Sequence, residues 1–320
     1  MNAAVLHAFE KDPQFEQFPE PTAADDNEAI VQVLAAALKP VDRQIASGSH
    51  YASPRKLPVV CGIDGVGCFE DGTRVYFGGP RPPYGAMAQR TVVSRQRCFP
   101  LPQEIDNVTA AAVMNPGVSA WLTLAQRAKL VRGETVLILG ATGVTGKLAV
   151  QIAKLLGAAR VVAAGRNQQV LNTLQEFGAD AIIRIDRPGQ DLKDAFASQA
   201  GESGFDVIID YLWGAPIEAL LAAITRKEFA AVKSEIRLVQ VGESAGAAIS
   251  LLAAVLRSAP LTVMGTAGIP SPDVLMDACQ QVLIRAARGE LRIDVERVPL
   301  DQVESAWQRD GHGRRIVLIP

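Results

Sequence analysis

The middle of the chain alternates between short apolar runs and longer segments whose apolar residues recur at helical spacing. Residues 135–139 show no alternation of polar and apolar positions, which is typical of a central strand in a parallel sheet. Six runs of this kind alternate with helical segments, and this predicts an α/β fold with a doubly wound parallel sheet of Rossmann type. The predicted strands are residues 135–139, 160–164, 181–184, 206–210, 236–241 and 261–264, and the predicted helices between them are 147–156, 168–177, 192–199, 216–224 and 249–256.

The two ends of the chain have a different pattern. The first part carries short β-type runs separated by turns such as Asp71-Gly72, which indicates a compact β-rich domain. After residue 106 the pattern changes to two Ala-rich helices, 108–114 and 118–129. The tail is mixed again, and we expect it to return to the first domain. The β-type runs are residues 29–34, 59–61, 74–77 and 90–93 at the start, and 293–298 and 315–319 at the end.

Composition narrows the class of partner. The chain has 320 residues, 48% of them hydrophobic, and a formal net charge of −2, so it has no basic excess with which to neutralise a nucleic acid. Its beginning lacks a basic region followed by an apolar stretch, and apolar runs such as 247–256 fall short of the ~20 residues that span a bilayer. We expect a cytoplasmic protein that binds a small molecule, and neither a nucleic acid nor a membrane. The four scattered cysteines, Cys61, Cys68, Cys98 and Cys279, predict neither a disulfide framework nor a four-cysteine zinc site.

A glycine-rich segment lies between the first strand and the first helix of the predicted sheet. Gly140, Gly143 and Gly146 are spaced by three, and Ala141 stands where the usual dinucleotide fingerprint G-x-G-x-x-G begins with glycine. Gly143 lets the backbone approach a pyrophosphate, Gly146 lets the helix pack close to the strand, and the helix N-terminus attracts the anion. The alternative is a tight turn that binds no ligand. The predicted cofactor contacts here are Gly140, Thr142, Gly143, Val144 and Gly146.

The end of the second strand of the sheet bears on the choice of cofactor. NAD-binding proteins place Asp or Glu ~20 residues beyond the glycine loop. Here the residue 20 positions after Gly146 is Arg166, and residues 163–167 contain no acid. A guanidinium can pair with a 2′-phosphate that a carboxylate would repel, which predicts NADPH unless Arg166 is a solvated surface residue. Val241 and Gly242 end the fifth strand, where such folds bring backbone to the nicotinamide ribose.

Four segments carry a wider resemblance. Residues 38–42 are similar to an N-P-x-D/E segment, 57–67 to a P-x-x-x-G-x-D-x-x-G stretch, 84–88 to a G-A-Y-A-E region and 115–121 to an N-P-x-T-A-Y run. Together they resemble the medium-chain dehydrogenase/reductase superfamily, and within it the zinc-free quinone oxidoreductases and the related enoyl thioester reductases. The resemblance implies a GroES-like catalytic domain built from both chain ends, 1–116 and 266–320, with a Rossmann domain, 117–265, inserted. It also implies that Asn115 contacts the cofactor and that two copies pair through the strand at 261–264.

The same resemblance bears on metal. Zinc-dependent alcohol dehydrogenases of the superfamily carry Cys near Lys39 and a G-H-E run at 62–64, where this chain has Lys39 and Ile63. A cation and an aliphatic side chain supply no zinc ligand. We therefore predict no catalytic metal, and reduction of an activated acceptor rather than oxidation of an alcohol. The three histidines, His7, His50 and His312, also lack ligand spacing.

Four residues are candidates for the chemistry. Tyr51 lies eleven residues before Gly62, a spacing that fits the proton-donating Tyr of the enzymes it resembles, and the alternative is a packed aromatic. Lys39 replaces the family's Asn; it either stabilises an oxyanion or orients the nicotinamide amide, or it lies at the surface. Asp42 binds Lys39 or orients a neighbour, and Tyr84 reaches the nicotinamide.

These observations favour an NADPH-dependent oxidoreductase that transfers hydride to a quinone or an α,β-unsaturated carbonyl compound. An enoyl thioester reductase is one alternative, and it would need a basic entrance for which Arg55, Lys56 and Arg81 are candidates. A non-catalytic NADPH-binding protein, acting as a sensor or like a crystallin, is another. NADPH binding without oxidation by any acceptor would favour that last hypothesis.

Overall fold

The computed structural model describes residues 1–225, 235–268, 270–311 and 313–320. These residues form two compact units: unit 1 is Met1–Asn115 with Cys279–Pro320, and unit 2 is Pro116–Ala278. The sequence places the corresponding limits at 116/117 and 265/266. The second limit lies further along in the structure because the chain stays with unit 2 after its last strand and passes to unit 1 only within a helix.

Strands and α-helices are numbered separately, each in chain order. The strands are β1 (Asn2–Leu6), β2 (Gln14–Gln17), β3 (Glu28–Ala37), β4 (Val59–Val60), β5 (Asp64–Cys68), β6 (Arg74–Gly78), β7 (Arg90–Ser94), β8 (Cys98–Pro100), β9 (Thr135–Leu139), β10 (Arg160–Gly165), β11 (Ala181–Arg184), β12 (Val207–Asp210), β13 (Ile236–Gln240), β14 (Leu261–Gly265), β15 (Val295–Pro299) and β16 (Arg315–Ile319). The α-helices are α1 (Pro40–Ala46), α2 (Asn107–Trp121), α3 (Val144–Leu155), α4 (Gln168–Leu174), α5 (Gly189–Ala200), α6 (Gly214–Ile224), α7 (Ala253–Ser258), α8 (Pro272–Ala287) and α9 (Val303–Gln308).

Unit 1 is rich in β-structure and contains both ends of the described chain. Its larger sheet runs β15-β16-β3-β5-β6-β8, with β7 paired to β3, and a smaller sheet runs β2-β1-β4. Strand β16 lies antiparallel to β3, with Val317 opposite Ala37 and Leu318 opposite Ala36. The last strand therefore completes a sheet that the first part of the chain begins, and Phe77 joins Leu318 in the core of the unit.

Unit 2 contains a parallel sheet in the order β11-β10-β9-β12-β13-β14. The chain moves outward from β9 to β11, returns to β12 on the other side of β9 and then moves outward again. Residues 136–139 and 207–210 have 0% exposure, because these central strands are covered on both faces. The predicted doubly wound sheet is confirmed, and its topological switch point lies between β9 and β12.

Helix α2 corrects one prediction. The sequence predicts two helices broken near Asn115 and Pro116, whereas α2 continues through Pro116 and passes directly into a π-helical segment, Leu122–Arg127. An interior proline removes one helical hydrogen bond and costs ~3 kcal/mol or more. Burial on both sides of the proline offsets this: residues 110–114 and Ala120 have 0% exposure. By length and composition alone, residues 107–127 could cross a membrane. However, 67% of an apolar 18-residue stretch within them is buried inside the protein, as in a core helix.

The segment before the edge strand β14 corrects another. The sequence predicts a helix over 249–256, but α7 begins only at Ala253. The backbone N–H of Ser250 donates to the Glu218 carboxylate at 2.6 Å, and this bond holds the preceding residues in a non-helical path. Leu252 is consequently 67% exposed.

Candidate cofactor site and active site

The glycine loop between β9 and α3 is closed tightly against the sheet. Gly140 has φ +82°, a left-handed value that favours glycine. The N–H groups of Gly140 and Ala141 both donate to the Ala164 carbonyl oxygen at 2.9 Å, which ties the loop to β10. A Cβ on Gly146 would clash with the Gly140 carbonyl oxygen, so α3 can lie this close to the loop only with glycine there.

The N-terminus of α3 is an open anion site. Gly143 precedes the helix and has no side chain with which to cap it. The first helical bond runs from the Lys147 N–H to the Gly143 carbonyl oxygen at 2.9 Å, so the N–H groups before it have no partner within the helix. A Cβ on Gly143 would meet only the Gly140 carbonyl oxygen, at 3.4 Å, which leaves room for a ligand to approach the backbone. These residues fit the pyrophosphate of a dinucleotide.

Arg166 follows directly on a strand end that packs against this loop. A Cβ on Gly165 would lie 2.5 Å from Cγ2 of Thr142, so the end of β10 and the loop are in close contact. Arg166 itself is exposed, and Asn167 caps α4 by accepting a hydrogen bond from the Val170 N–H at 3.2 Å. An exposed cationic residue therefore follows the strand end that contacts the loop, at the position where the sequence predicts the choice between the two nicotinamide cofactors.

The ends of β12 and β13 complete this edge of the sheet. The backbone N–H groups of Val241 and Gly242 donate to the Asp210 carbonyl oxygen at 2.8 and 3.2 Å. Tyr211 borders two predicted contact positions: a Cβ on Gly140 would lie 3.1 Å from its Cβ, and one on Gly242 would lie 2.9 Å from its carbonyl oxygen. Sequence reasoning missed Tyr211 and Asp210, although their place at the end of the fourth strand of the sheet follows from the strand order.

The Asp210 carboxylate supports the turn after β12. Its Oδ1 accepts hydrogen bonds from the N–H groups of Leu212 and Trp213, at 2.8 and 3.0 Å. Burial raises the pKa of Asp210, and the two backbone N–H groups oppose that rise. Asp210 thus fixes the turn that places Tyr211 beside Gly140 and Gly242.

In unit 1, Lys39 lies at the start of α1 inside a buried ion network. Its Nζ lies 3.1 Å from a carboxylate oxygen of Asp42, 3.1 Å from Oδ1 of Asp64 and 2.8 Å from the carbonyl oxygen of Ala37. The residue is only 2% exposed. Three oxygens thus surround the ammonium, and the surface position considered for Lys39 is wrong, whereas its catalytic role stays a prediction.

Asp42 has the first of the two roles considered for it, because it binds Lys39. Its Oδ2 also accepts from the Lys39 backbone N–H at 2.8 Å, and its Oδ1 accepts from the Ile63 N–H at 3.3 Å. The side chain therefore joins the start of α1 to the segment before β5. Burial lowers the pKa of Lys39, but the charges of Asp42 and Asp64 outweigh burial, and the pKa is raised. Lys39 is a cation at neutral pH.

Besides Asp64, two more residues belong to this network, and the sequence did not connect any of the three with it. Arg315 on β16 donates to the Leu38 carbonyl oxygen at 3.0 Å, and burial lowers its pKa while the two aspartates oppose that change. Burial raises the pKa of Asp64, against the effect of Lys39. Burial and a hydrogen bond with Asp64 raise the pKa of Tyr76. Two cations and two anions thus neutralise one another, and no local sequence pattern joins positions so far apart in the chain.

A groove of about 160 Å³ opens beside this network within unit 1. It is lined mostly by aliphatic and proline side chains, and two predicted catalytic candidates, Asp42 and Tyr84, contribute to its wall. The Tyr84 hydroxyl donates to the Glu20 carbonyl oxygen at 3.1 Å. The polar groups of both candidates are therefore engaged within the protein.

The other two predictions in unit 1 have different outcomes. Tyr51 is 97% exposed, with its ring 4.1 Å from that of His50, so it is not a packed aromatic. It does not line the groove, although the adjacent Ala52 does. Asn115 lies half-buried within α2.

Known proteins resemble this chain in both sequence and structure. The family model described as "Zinc-binding dehydrogenase" matches residues 144–268. The protein named "Probable NADPH-dependent quinone reductase tdiC" from Emericella nidulans is 26% identical over 100% of both chains, and the pig (Sus scrofa) quinone oxidoreductase is 30% identical over 58% of each chain. The solved quinone oxidoreductase of Thermus thermophilus, whose complex with NADPH is also known, superposes with a TM-score of 0.82 at 26% identity over 100% of both chains.

In sequence and fold the chain is similar along its whole length to quinone reductases of the medium-chain dehydrogenase/reductase superfamily. Within it, the quinone reductase-like branch is the one that the relatives share, and the fold predicted from both chain ends and the inserted sheet agrees with theirs.

The description of the matched family names zinc, whose common protein ligands are Cys, His, Asp and Glu. Residues 144–268 contain neither Cys nor His. In the described ranges of the chain, no three His, Cys, Asp or Glu side chains lie together in a group that could hold a metal ion. His312, one of the histidines considered above, lies outside the described residues.

Proposed function

We propose that this medium-chain dehydrogenase/reductase is an NADPH-dependent oxidoreductase that reduces a quinone or an α,β-unsaturated carbonyl compound. The observation that carries the proposal is the uncapped N-terminus of α3 beside an exposed Arg166, with no acid in 163–167. This is an anion site next to a cation, and the pair matches the pyrophosphate and the 2′-phosphate of NADPH. Relatives named as NADPH-dependent and quinone reductases support the same assignment. Units 1 and 2 are then the catalytic and nucleotide-binding domains.

The contacts follow from the geometry of unit 2. Gly143, Val144 and Gly146 hold the pyrophosphate at the helix N-terminus, and Arg166 pairs with the 2′-phosphate. The remaining proposed cofactor contacts are Gly140, Thr142, Val241, Gly242 and Asn115. NADPH, when bound, supplies the hydride.

The residues of the protein must then manage the negative charge and the proton. Hydride addition to a conjugated carbonyl compound moves an electron pair to the carbonyl oxygen, and a hydrogen-bond donor stabilises that charge. We assign this donor to Tyr51, because its hydroxyl lies in solvent while the donors of Lys39 and Tyr84 are already bound within unit 1. A neutral phenol can donate to such an oxygen at pH 7.

The reaction needs no zinc in this proposal. The two buried carboxylates, Asp42 and Asp64, are already neutralised by Lys39, and a divalent ion would have to displace that ammonium. Neither Lys39 nor Ile63 offers a ligand atom suited to zinc.

The test is steady-state oxidation of NADPH by the purified protein with a panel of acceptors. The panel holds 1,4-benzoquinone, a short enone and an enoyl coenzyme A thioester, each with NADH in parallel. We expect turnover with the quinone or the enone, and NADPH preferred at least ~10-fold in kcat/KM. The Tyr51→Phe variant should lose ~100-fold in kcat or more, with NADPH affinity unchanged. Turnover of the thioester alone would replace the proposed substrate class, and no turnover with tight NADPH binding would support the non-catalytic alternative.

We also propose that two copies pair through β14. This strand lies at the edge of the unit 2 sheet and leaves backbone groups open for pairing. Val263 on it is 42% exposed, and nearby Leu256 is 52% exposed. Sedimentation should give twice the 34.0 kDa mass of one chain, and Val263→Lys should return it to 34.0 kDa. A wild-type species of 34.0 kDa at all concentrations would exclude the dimer.

We also propose that the protein acts in the cytoplasm. The four cysteines are free thiols in the structure, as expected of a soluble protein kept in a reducing cytoplasm.

A further inference from the structure

The groove in unit 1 has the dimensions and the chemistry of a site for one small ring. Its volume is about 160 Å³. A cavity of ~150 Å³ lined by aliphatic and aromatic side chains is large enough to bind benzene. The groove is therefore large enough to surround a single six-membered ring, whereas the second ring of a fused pair would extend out of it.

The walls favour an uncharged ligand. Leu6, Ile45, Val59 and Ile63 supply aliphatic surface, and four prolines add more. The lining includes no Lys, Arg or His side chain. Arg81, a basic candidate whose neighbours Pro80 and Pro82 line the groove, is paired with Glu28 at 2.7 Å. Nothing in the wall is therefore available to bind the phosphates of a coenzyme A thioester.

The polar groups in the wall are already satisfied. The Asp42 carboxylate accepts from Lys39 and from the Ile63 N–H, and the Tyr84 hydroxyl donates to Glu20. A ligand that fills the groove gains chiefly by removing apolar surface from water. Ala52, which is exposed, belongs to the lining and directly follows Tyr51, the proposed donor, in the chain.

We propose that this groove is the acceptor-binding site and that it selects uncharged one-ring quinones, or enones of similar size, over two-ring acceptors. The reduction of the ring rests on the proposed function, but the binding of the ring does not. Ring binding can therefore be measured without turnover.

The experiment uses a pair of probes that cannot be reduced. Binding of 1,4-dimethoxybenzene and of 1,4-dimethoxynaphthalene to the full chain is measured by titration, without NADPH. We expect the one-ring probe to bind at least tenfold more tightly. The variant Ala52→Leu places an isobutyl group at the rim of the groove and should weaken that binding at least tenfold. Because Ala52 is exposed on a loop, the substitution leaves the core untouched. Ala23→Leu, at an exposed loop position that does not line the groove, is the matched control and should bind as the wild type does.

Steady-state kinetics separate this inference from the proposed function. The wild type should prefer 1,4-benzoquinone to 1,4-naphthoquinone at least tenfold in kcat/KM, and Ala52→Leu should lose that preference with the Kd of NADPH unchanged. Probe binding that Ala52→Leu abolishes, with no acceptor reduced, would overturn the proposed function and leave the groove assignment standing. Reduction of both quinones alike, with Ala52→Leu indistinguishable from Ala23→Leu, would overturn the groove assignment and leave the function standing.

Discussion

The glycine loop of unit 2 is the proposed cofactor site, and the ion network of unit 1 lies beside the proposed acceptor groove. Different forces maintain the structure of these two regions. The loop is fixed by backbone geometry: the positive φ of Gly140 and the absence of a Cβ at Gly146 decide its shape. The network is fixed by charge, because Lys39, Asp42, Asp64 and Arg315 are all buried and must neutralise one another.

This difference decides how each region should respond to substitution. The loop leaves backbone N–H groups open for a ligand, so a change there reduces binding more than stability. The network has satisfied its own donors, so a change there reduces stability first. Buried ion pairs contribute little compared with apolar packing, but removing one partner leaves a charge unpaired.

Replacing Lys39 has the largest expected effect. In Lys39→Met, Asp42 and Asp64 lose the cation between them, and the free energy of unfolding should fall by ~3–5 kcal/mol at pH 8. The measurement is urea unfolding, with Lys56→Met as a control for loss of an exposed lysine. That control should lie within ~0.5 kcal/mol of the wild type. A loss below ~1 kcal/mol in Lys39→Met would show that the network carries no uncompensated charge.

The pH dependence sharpens this prediction. The pKa of Asp64 is already raised by burial, and removing Lys39 raises it further. A carboxyl group whose folded pKa is raised gains stability as pH falls through that pKa. The stability difference between the wild type and Lys39→Met should therefore narrow between pH 8 and pH 5. A gap that widens toward pH 5 would contradict the assignment. In the wild type the raised pKa of Lys39 places the corresponding loss of stability above pH ~10.

Gly146→Ala should act mainly on binding. The added methyl group meets the Gly140 carbonyl oxygen and forces the helix away from the loop, so the Kd for NADPH should rise roughly 100-fold, about 2.8 kcal/mol. Gly189→Ala, in the same unit, has open space around the added methyl group and is the matched control. Fluorescence titration of NADPH measures both. Equal affinities in the two variants would show that the loop does not hold the cofactor.

Arg166→Gln has the smallest expected effect and the most specific one. Loss of a charge-assisted pair with the 2′-phosphate should raise the Kd of NADPH by roughly 10- to 100-fold, or ~1.4–2.8 kcal/mol. The Kd of NADH, which lacks that phosphate, should stay within about twofold. Parallel weakening of both cofactors would assign Arg166 a structural role instead.

The two regions also differ in how much of their structure could be predicted from the sequence. The order of strands and helices in unit 2 and the glycine loop could be predicted because strand period, glycine spacing and helix capping are local properties. The continuous helix through Pro116 could not, because burial on both sides outweighs a local proline rule. Arg315 could not be linked to Lys39 because only the pairing of β16 with β3 brings them together. Tyr51 shows the remaining limit: its spacing was clear, but the direction of an exposed side chain depends on loop geometry.

The central claim is that NADPH bound at the glycine loop delivers hydride to a conjugated carbonyl acceptor. A single-turnover experiment tests it most directly: the protein, in sufficient excess over NADPH to bind all of it, is mixed with 1,4-benzoquinone while absorbance at ~340 nm is followed. The account predicts loss of the NADPH absorbance in one exponential phase whose rate saturates with quinone and greatly exceeds the rates without protein and with Gly146→Ala. A rate equal to that without protein, although NADPH is bound, would contradict it.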